Sequence, residues 1–324
     1  MSAARPHIVV LDDYERALRR LADWSGIEAR ASVVMHHDKM RGEPLLKAIR
    51  DADVIVTVRD RTPFKADLLA HCPRLRYFVF TGGRNTQLDM AAFSGRKIPV
   101  SGTAQDANKE STTELAWALI LAAVRRLESQ MALVRRGEWR DGEALAPALS
   151  GQRLGLVGLG NIGSRVAAVG RAFGMEVVAW SPNLTPERAR AGGALLVPLE
   201  EILETARVVS LHLVPSEATR KLFNAERLAR MRPDSVLVNT SRSALIDAPA
   251  LVEALRAGRP GWAALDVYDE EPLPANFPLR SLPNVTLTPH LGFVTQPVFT
   301  SFAKGVVECL EAWLDGRPLL RVQQ

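Results

Sequence analysis

Cysteine is nearly absent from this chain of 324 residues. Cys72 and Cys309 are the only two, and neither has a partner at CxxC spacing. A disulfide framework and a cysteine-based metal site are disfavoured, no metal is expected, and both thiols read as small buried apolar groups in a reducing compartment. Long apolar runs are missing too. No window approaches the roughly eighteen uninterrupted apolar residues a spanning helix needs, and the richest stretch, residues 115–124, is too short. The first residues run straight into Ile8-Val-Val-Leu11 without a secretory h-region, so a cytoplasmic location without a membrane partner is expected. Basic clusters are lacking as well. The 41 Lys and Arg are scattered among 36 Asp and Glu, leaving a formal charge of +5. A nucleic-acid footprint needs a concentrated basic stripe, so nucleic acid is not expected as a partner. No repeat or low-complexity tract is present. What remains, 47% hydrophobic and 24% charged residues, is ordinary for a globular protein whose length suits two domains.

Short apolar runs alternate with helix-period segments from the start: strands over 8–11, 54–58 and 77–80, each followed by a helix, over 14–24, 65–70 and 88–93. Strand then helix, repeated, predicts a parallel sheet covered by helices, an α/β fold. The series stops at Ile98-Pro-Val-Ser-Gly102, and residues 110–136 follow as one long helical stretch able to connect two domains. After the turn-rich 137–151 a second series opens. Its strands cover 154–157, 177–180 and 208–213, followed by three that end at Arg242, near Asp266 and near His290. Six such strands satisfy a dinucleotide-binding domain, so two Rossmann-like doubly wound domains are expected. An amphipathic helix over 297–314 returns the chain to the first domain. The boundaries are then 1–103 with 291–324 for that domain and 104–290 for the one inserted in it.

Gly158-x-Gly160-x-x-Gly163 directly follows the run 154–157 and opens a helix. The first glycine permits the tight turn, the second lets backbone approach a pyrophosphate, and the third lets helix and strand pack closely; Asn161 and Ile162 lie between them, at the helix N-terminus that faces the anion. A structural glycine turn is the competing reading. An NAD site usually has Asp or Glu at the end of the next strand, yet Val177-Val-Ala-Trp-Ser181-Pro-Asn183 has none. Ser181 and Asn183 suit a ribose hydroxyl, whereas Arg188 or Arg190 suits the extra phosphate of NADP or is simply solvated. NAD or NADP is expected, with the choice open.

Three later runs deliver a cation, a carboxylate and an imidazole to the carboxyl ends of strands, where ligands of parallel sheets bind. With the glycine loop, the motifs Val238-Asn-Thr-Ser-Arg242-Ser-Ala-Leu-Ile-Asp247, Ala264-Leu-Asp266-Val-Tyr-Asp-Glu-Glu271-Pro and Thr288-Pro-His290-Leu-Gly292 resemble the NAD(P)-dependent D-2-hydroxyacid dehydrogenases over about residues 50–315. The resemblance implies a discontinuous, flavodoxin-like substrate domain, the inserted cofactor domain, a homodimer, and hydride transfer between a nicotinamide and a small 2-oxo/2-hydroxy acid.

Hydride transfer to a 2-oxo acid leaves negative charge on the carbonyl oxygen and needs a proton delivered there. Arg242, a permanent forked cation, suits the substrate's carboxylate and carbonyl. His290 suits the acid of reduction and the base of oxidation, and Glu271 suits the group that orients the imidazole and favours its charged form. Taken singly, the three also fit a surface ion pair, a turn carboxylate and a loop histidine.

By the same resemblance Asp266 meets the nicotinamide carboxamide, or is a buried structural acceptor. His212, Val214, Pro215, Thr219, Thr240, Ser241 and Gly292 line the cofactor. Thr113 lies near the nicotinamide or serves as a helix cap. In the first domain, backbone amides of Gly82 and Gly83, with Arg84, grip the substrate carboxylate. Arg59 adds positive charge or is solvated, and Trp139 lines the active site or, by default, is buried. Ser243 departs from the glycine the family most often places after the catalytic arginine. The chain stops soon after its last helix, which disfavours a C-terminal regulatory domain, and Pro289 replaces the Gln that formate dehydrogenases place before the histidine. Glyoxylate or hydroxypyruvate reduction is the leading expectation; the alternative is a dinucleotide-sensing corepressor-like scaffold with little turnover.

Overall fold

The computed structural model describes residues 5–103 and 108–323, which divide into two compact units. One comprises the described residues up to 103 together with those from Thr295 onward; the other runs from Asn108 to Val294. No helix among the described residues is long and apolar enough to cross a membrane.

The first unit is built on five parallel strands, β1 (His7–Leu11), β2 (Ser32–Met35), β3 (Val54–Thr57), β4 (Tyr77–Phe80) and β5 (Val100–Gly102), in the order β2-β1-β3-β4-β5. That is the flavodoxin-like order. Every residue of β3 and β4 is buried, as expected of central parallel strands covered on both faces. Phe78 meets Phe64 and Phe93 edge-on, each at 4.9 Å between ring centroids. The closing helix, Gln296–Leu314, belongs to this unit and stacks Trp313 on Tyr77. Gly305 brings the helix so close to Thr103 that a Cβ there would lie 2.7 Å from Thr103 Cβ.

Two expectations fail here. The segment 14–24 is a string of turns, because Asp12 and Arg16 take left-handed backbone and the buried Asp13 carboxylate accepts from the amides of Ala17 and Leu18. Strand β2 was not foreseen. It is an edge strand of four residues with alternating half-exposure, and it carries no apolar run long enough to announce it.

The second unit has seven parallel strands, β6 (Arg153–Val157), β7 (Glu176–Trp180), β8 (Leu195–Leu196), β9 (Val208–Leu211), β10 (Val236–Asn239), β11 (Trp262–Leu265) and β12 (Val285–Leu287), ordered β12-β11-β10-β9-β6-β7-β8. This is the dinucleotide-binding order with one further strand beyond the six expected. The addition is β8, whose two residues pair only with β7 and are too few to show a period. Because all seven strands run parallel, every loop leaving a carboxyl end emerges on the same edge. The residues after β6, β9, β10, β11 and β12 are therefore neighbours in space although up to 130 positions apart.

The long helix expected over 110–136 is two helices, Asn108–Arg125 and Leu127–Arg135. Arg126 breaks it with φ 51° and ψ 40°, and its guanidinium lies over the Trp262 ring. Helical periodicity continues across the break, so the pattern alone could not reveal it.

Candidate active site

The glycine loop leaves β6 as a cradle. Gly158 has φ 103°, and a Cβ on it would sit 2.6 Å from the His212 carbonyl; a Cβ on Gly163 would sit 2.2 Å from the Gly158 oxygen. Both glycines are therefore required by packing. Gly160 differs, since a Cβ there would meet nothing within 4 Å. Backbone bordered by open space at the start of the helix Asn161–Ala172 fits the pyrophosphate of a dinucleotide. Asn161 is exposed and Ile162 half-buried at this helix start.

At the opposite side of the β6–β9 pair the chain turns at His212, whose Nε2 bonds Ser210 Oγ at 2.9 Å. Burial holds this imidazole neutral, its pKa lowered to about 4. Val214 is exposed and Pro215 half-buried beyond it.

The loop after β12 is organised by Asp266. Its carboxylate, fully buried at the end of β11, accepts from Thr288 Oγ1 at 2.6 Å and from the amides of Leu291 at 2.7 Å and Gly292 at 2.9 Å. Burial raises its pKa and those three donors oppose the rise. Asp266 thus acts in the protein as a structural acceptor that fixes both sides of residue 290. Between them His290 takes left-handed backbone, φ 56°, a conformation costly for a residue with a Cβ and sustained here by the bonds around it. The imidazole Nδ1 lies 2.6 Å from Glu271 Oε2, and the ring meets Phe293 edge-on. Glu271 is itself held, its Oε1 accepting from the Tyr268 amide at 2.9 Å. Tyr268 OH reaches the carbonyls of Leu265 and Thr288, both at 2.9 Å, and ties the ends of β11 and β12 together.

Arg242 ends the loop after β10. Asn239, 1% exposed, braces that loop from inside: its Nδ2 donates to the Arg242 carbonyl at 2.9 Å and its Oδ1 accepts from Ser241 N at 3.0 Å. Ser241 Oγ donates to the Leu213 carbonyl. The Arg242 side chain is exposed and places one donor on the Ser241 carbonyl at 2.7 Å, its one hydrogen bond to the described residues. Ser243 begins a single turn, Ser243–Leu245, without left-handed backbone, so a serine is accepted there without strain.

Other expected cofactor residues divide. Thr240 Oγ1 is buried without a partner among the described residues. Thr113 is not a cap, because it lies inside the helix Asn108–Arg125 and donates to the Lys109 carbonyl; its neighbour Thr112 donates to the Gly292 carbonyl at 2.8 Å. Thr219 is a correction: its hydroxyl is buried and closes a capping box with Ser216, which removes it from a ligand's reach. Trp139 is another, being 74% exposed instead of buried. Asn239, Tyr268 and Thr112 were missed, since each acts through backbone partners that sequence spacing does not reveal.

In the first unit, the loop after β4 also needs correcting. The Gly82 amide already donates to Thr103 Oγ1 at 2.7 Å, so it is not available to grip a ligand. Gly82 is required for another reason. Its φ is 98°, and a Cβ would fall 2.2 Å from Arg59 Nη1, so the Arg59 guanidinium lies across this loop instead of being merely solvated. Arg59 N donates to Thr81 Oγ1, and Asn85 Nδ2 to the Arg59 carbonyl, both at 2.9 Å.

A doubly wound sheet with a glycine cradle at its crossover strand, and an imidazole–carboxylate pair on the same edge, defines the class of nicotinamide-dependent oxidoreductases. The comparisons give the family. Residues 117–292 match the D-isomer specific 2-hydroxyacid dehydrogenase NAD binding domain. A glyoxylate reductase of Aeropyrum pernix is 36% identical over 97% of this chain and 94% of its own length. A D-3-phosphoglycerate dehydrogenase of Methanocaldococcus jannaschii is 36% identical over 85% of this chain, which spans 52% of that protein. Among solved structures, a phosphoglycerate oxidoreductase of Vibrio cholerae superposes with a TM-score of 0.89 at 34% identity, covering 96% of this chain and 99% of that one. The chain belongs to the D-isomer specific 2-hydroxyacid dehydrogenase family and is an NAD(P)-dependent oxidoreductase acting on CH–OH groups.

Proposed function

We propose that this chain reduces a small 2-oxo acid, of the kind of glyoxylate or hydroxypyruvate, to the D-2-hydroxy acid. The observation that carries the reading is the 2.6 Å contact between His290 Nδ1 and a Glu271 carboxylate that is itself fixed by backbone. Bonding at Nδ1 sets the ring orientation and leaves Nε2 as the proton-exchanging atom. The dinucleotide, held by the cradle at Gly158, Gly160 and Gly163, supplies the hydride when bound. His290 delivers the proton to the carbonyl oxygen, and Arg242 binds the carboxylate and the developing charge beside it. The Aeropyrum glyoxylate reductase, aligned over nearly the whole chain, supports this substrate class.

The enzyme is assigned to the cytoplasm, in keeping with its two buried free thiols; burial pushes the Cys72 thiol up to about 12. It is also assigned a homodimeric state, supported by the exposed apolar groups Leu127, Met131, Val134, Trp139 and Leu145 on one segment.

The test is nicotinamide absorbance with NADH or NADPH and a panel of 2-oxo acids. Wild type should consume cofactor, and His290→Ala should lose roughly 10²–10⁴-fold in turnover while still binding cofactor. Cofactor binding without consumption for any acid would replace the enzyme reading with the scaffold one.

A further inference from the structure

The turn that follows β7 is built without an acid. Residues 181–186 read Ser-Pro-Asn-Leu-Thr-Pro, and the one carboxylate on β7, Glu176, lies at the strand's other end, paired with Arg153 at 2.9 Å. Leu184 N donates to the Ser181 carbonyl at 3.1 Å, closing a tight turn with Pro182 at its second position. Thr185 then caps the short helix Pro186–Ala191 by accepting from the Arg188 amide. This capping starts the helix so that Arg188 projects back over the turn, where Nη1 donates to the Asn183 carbonyl at 3.0 Å. The two arginines of this helix differ. Arg190 pairs with Glu187 at 3.5 Å, whereas Arg188 has no carboxylate partner among the described residues.

We propose that the Ser181–Asn183 turn and Arg188 together hold the 2′-phosphate of NADP(H), so that this chain prefers the phosphorylated cofactor. The proposal rests on the dinucleotide reading of the glycine cradle and adds the choice between the two cofactors. A carboxylate at the end of β7 would hold the ribose hydroxyls of NAD and repel a phosphate dianion. Here that carboxylate is replaced by a serine hydroxyl and an asparagine amide, both able to donate to phosphate oxygens. The guanidinium fork matches phosphate geometry. Its anchor on the Asn183 carbonyl sets it near the binding position beforehand, which lowers the ordering cost of binding.

Calorimetric titration of the full chain with NADPH, NADH, 2′,5′-ADP and 5′-AMP tests this without relying on turnover. Wild type should bind NADPH over NADH, and 2′,5′-ADP over 5′-AMP, by roughly tenfold or more, the scale of one charge-assisted phosphate contact. Arg188→Ala should remove that preference and leave NADH affinity within about twofold, and Ser181→Asp should invert it. Equal affinities in wild type, a preference for NADH, or an Arg188→Ala variant that weakens both cofactors alike would overturn the proposal. If neither dinucleotide bound, the cradle reading would fall with it, an outcome distinct from binding without preference.

Discussion

Arg242, Glu271 and His290 stood out in the sequence only together, each at the end of an apolar run after the glycine loop, since singly each also fits an ordinary surface, turn or loop role. Their supports were only partly legible. Asn239, buried under the Arg242 loop, resembles any polar residue in a strand until its backbone partners are seen, whereas Asp266 stood out in sequence as a nicotinamide contact or a buried acceptor, and its bonds to Leu291 and Gly292 give it the acceptor role beneath the His290 loop. The same limit explains the misreadings. Thr219, placed beside the cofactor by the family resemblance, is engaged by Ser216, and the Gly82 amide, placed on the substrate by the same resemblance, belongs to Thr103. Ser243, which departs from the family's usual glycine, sits in backbone that asks for no glycine. At this scale the proposed role of Arg242 has a direct check. Arg242→Ala should lower kcat/KM by roughly 10²–10³-fold or more while the dissociation constant for the dinucleotide stays nearly unchanged, because the exposed side chain braces only the neighbouring Ser241 carbonyl. Equal loss of both, measured by steady-state kinetics and fluorescence titration, would make the arginine structural.

At the scale of elements, fully buried parallel strands such as β3, β4, β9 and β10 were the easiest to find, since burial on both faces writes an unbroken apolar run. Edge strands β2 and β8 bury less and left no such mark. Turns failed in the other direction: 14–24 has helical spacing, yet two left-handed residues and the Asp13 carboxylate make a different structure more stable. The loop leaving β9 carries a pH prediction. Burial lowers the His212 pKa from 6.5 to about 4, so the unfolded chain takes up a proton over this interval that the native protein refuses. Stability is therefore complete above about pH 6.5 and falls as the pH drops toward 4, by at most about 1.4 kcal/mol per pH unit from this group. Urea unfolding at pH 7 and pH 4.5 should show a smaller pH-dependent loss for His212→Gln than for wild type; identical losses would remove His212 as a cause.

At the scale of the whole molecule, the exposed apolar side chains between Leu127 and Leu145 predict association of two copies. Light scattering at micromolar concentration should give twice the chain mass, and Met131→Asp combined with Val134→Asp should shift the protein toward monomer; a monomeric wild type would refute the assignment. Two features of the chain were decided by sequence alone. Alternating strand and helix patterns specify the α/β class, and the glycine triplet with the motifs around Arg242, Glu271 and His290 carries the resemblance to the dehydrogenase family, because these properties depend on local spacing and side-chain type. Only the tertiary structure decided which groups meet. The pairing of His290 with Glu271 across 19 positions and the placement of Asp266 beneath the loop at 290 arise from seven parallel strands that bring distant carboxyl ends to one edge. Strand order and register are set by collective burial across the whole sheet, which no local stretch of sequence contains.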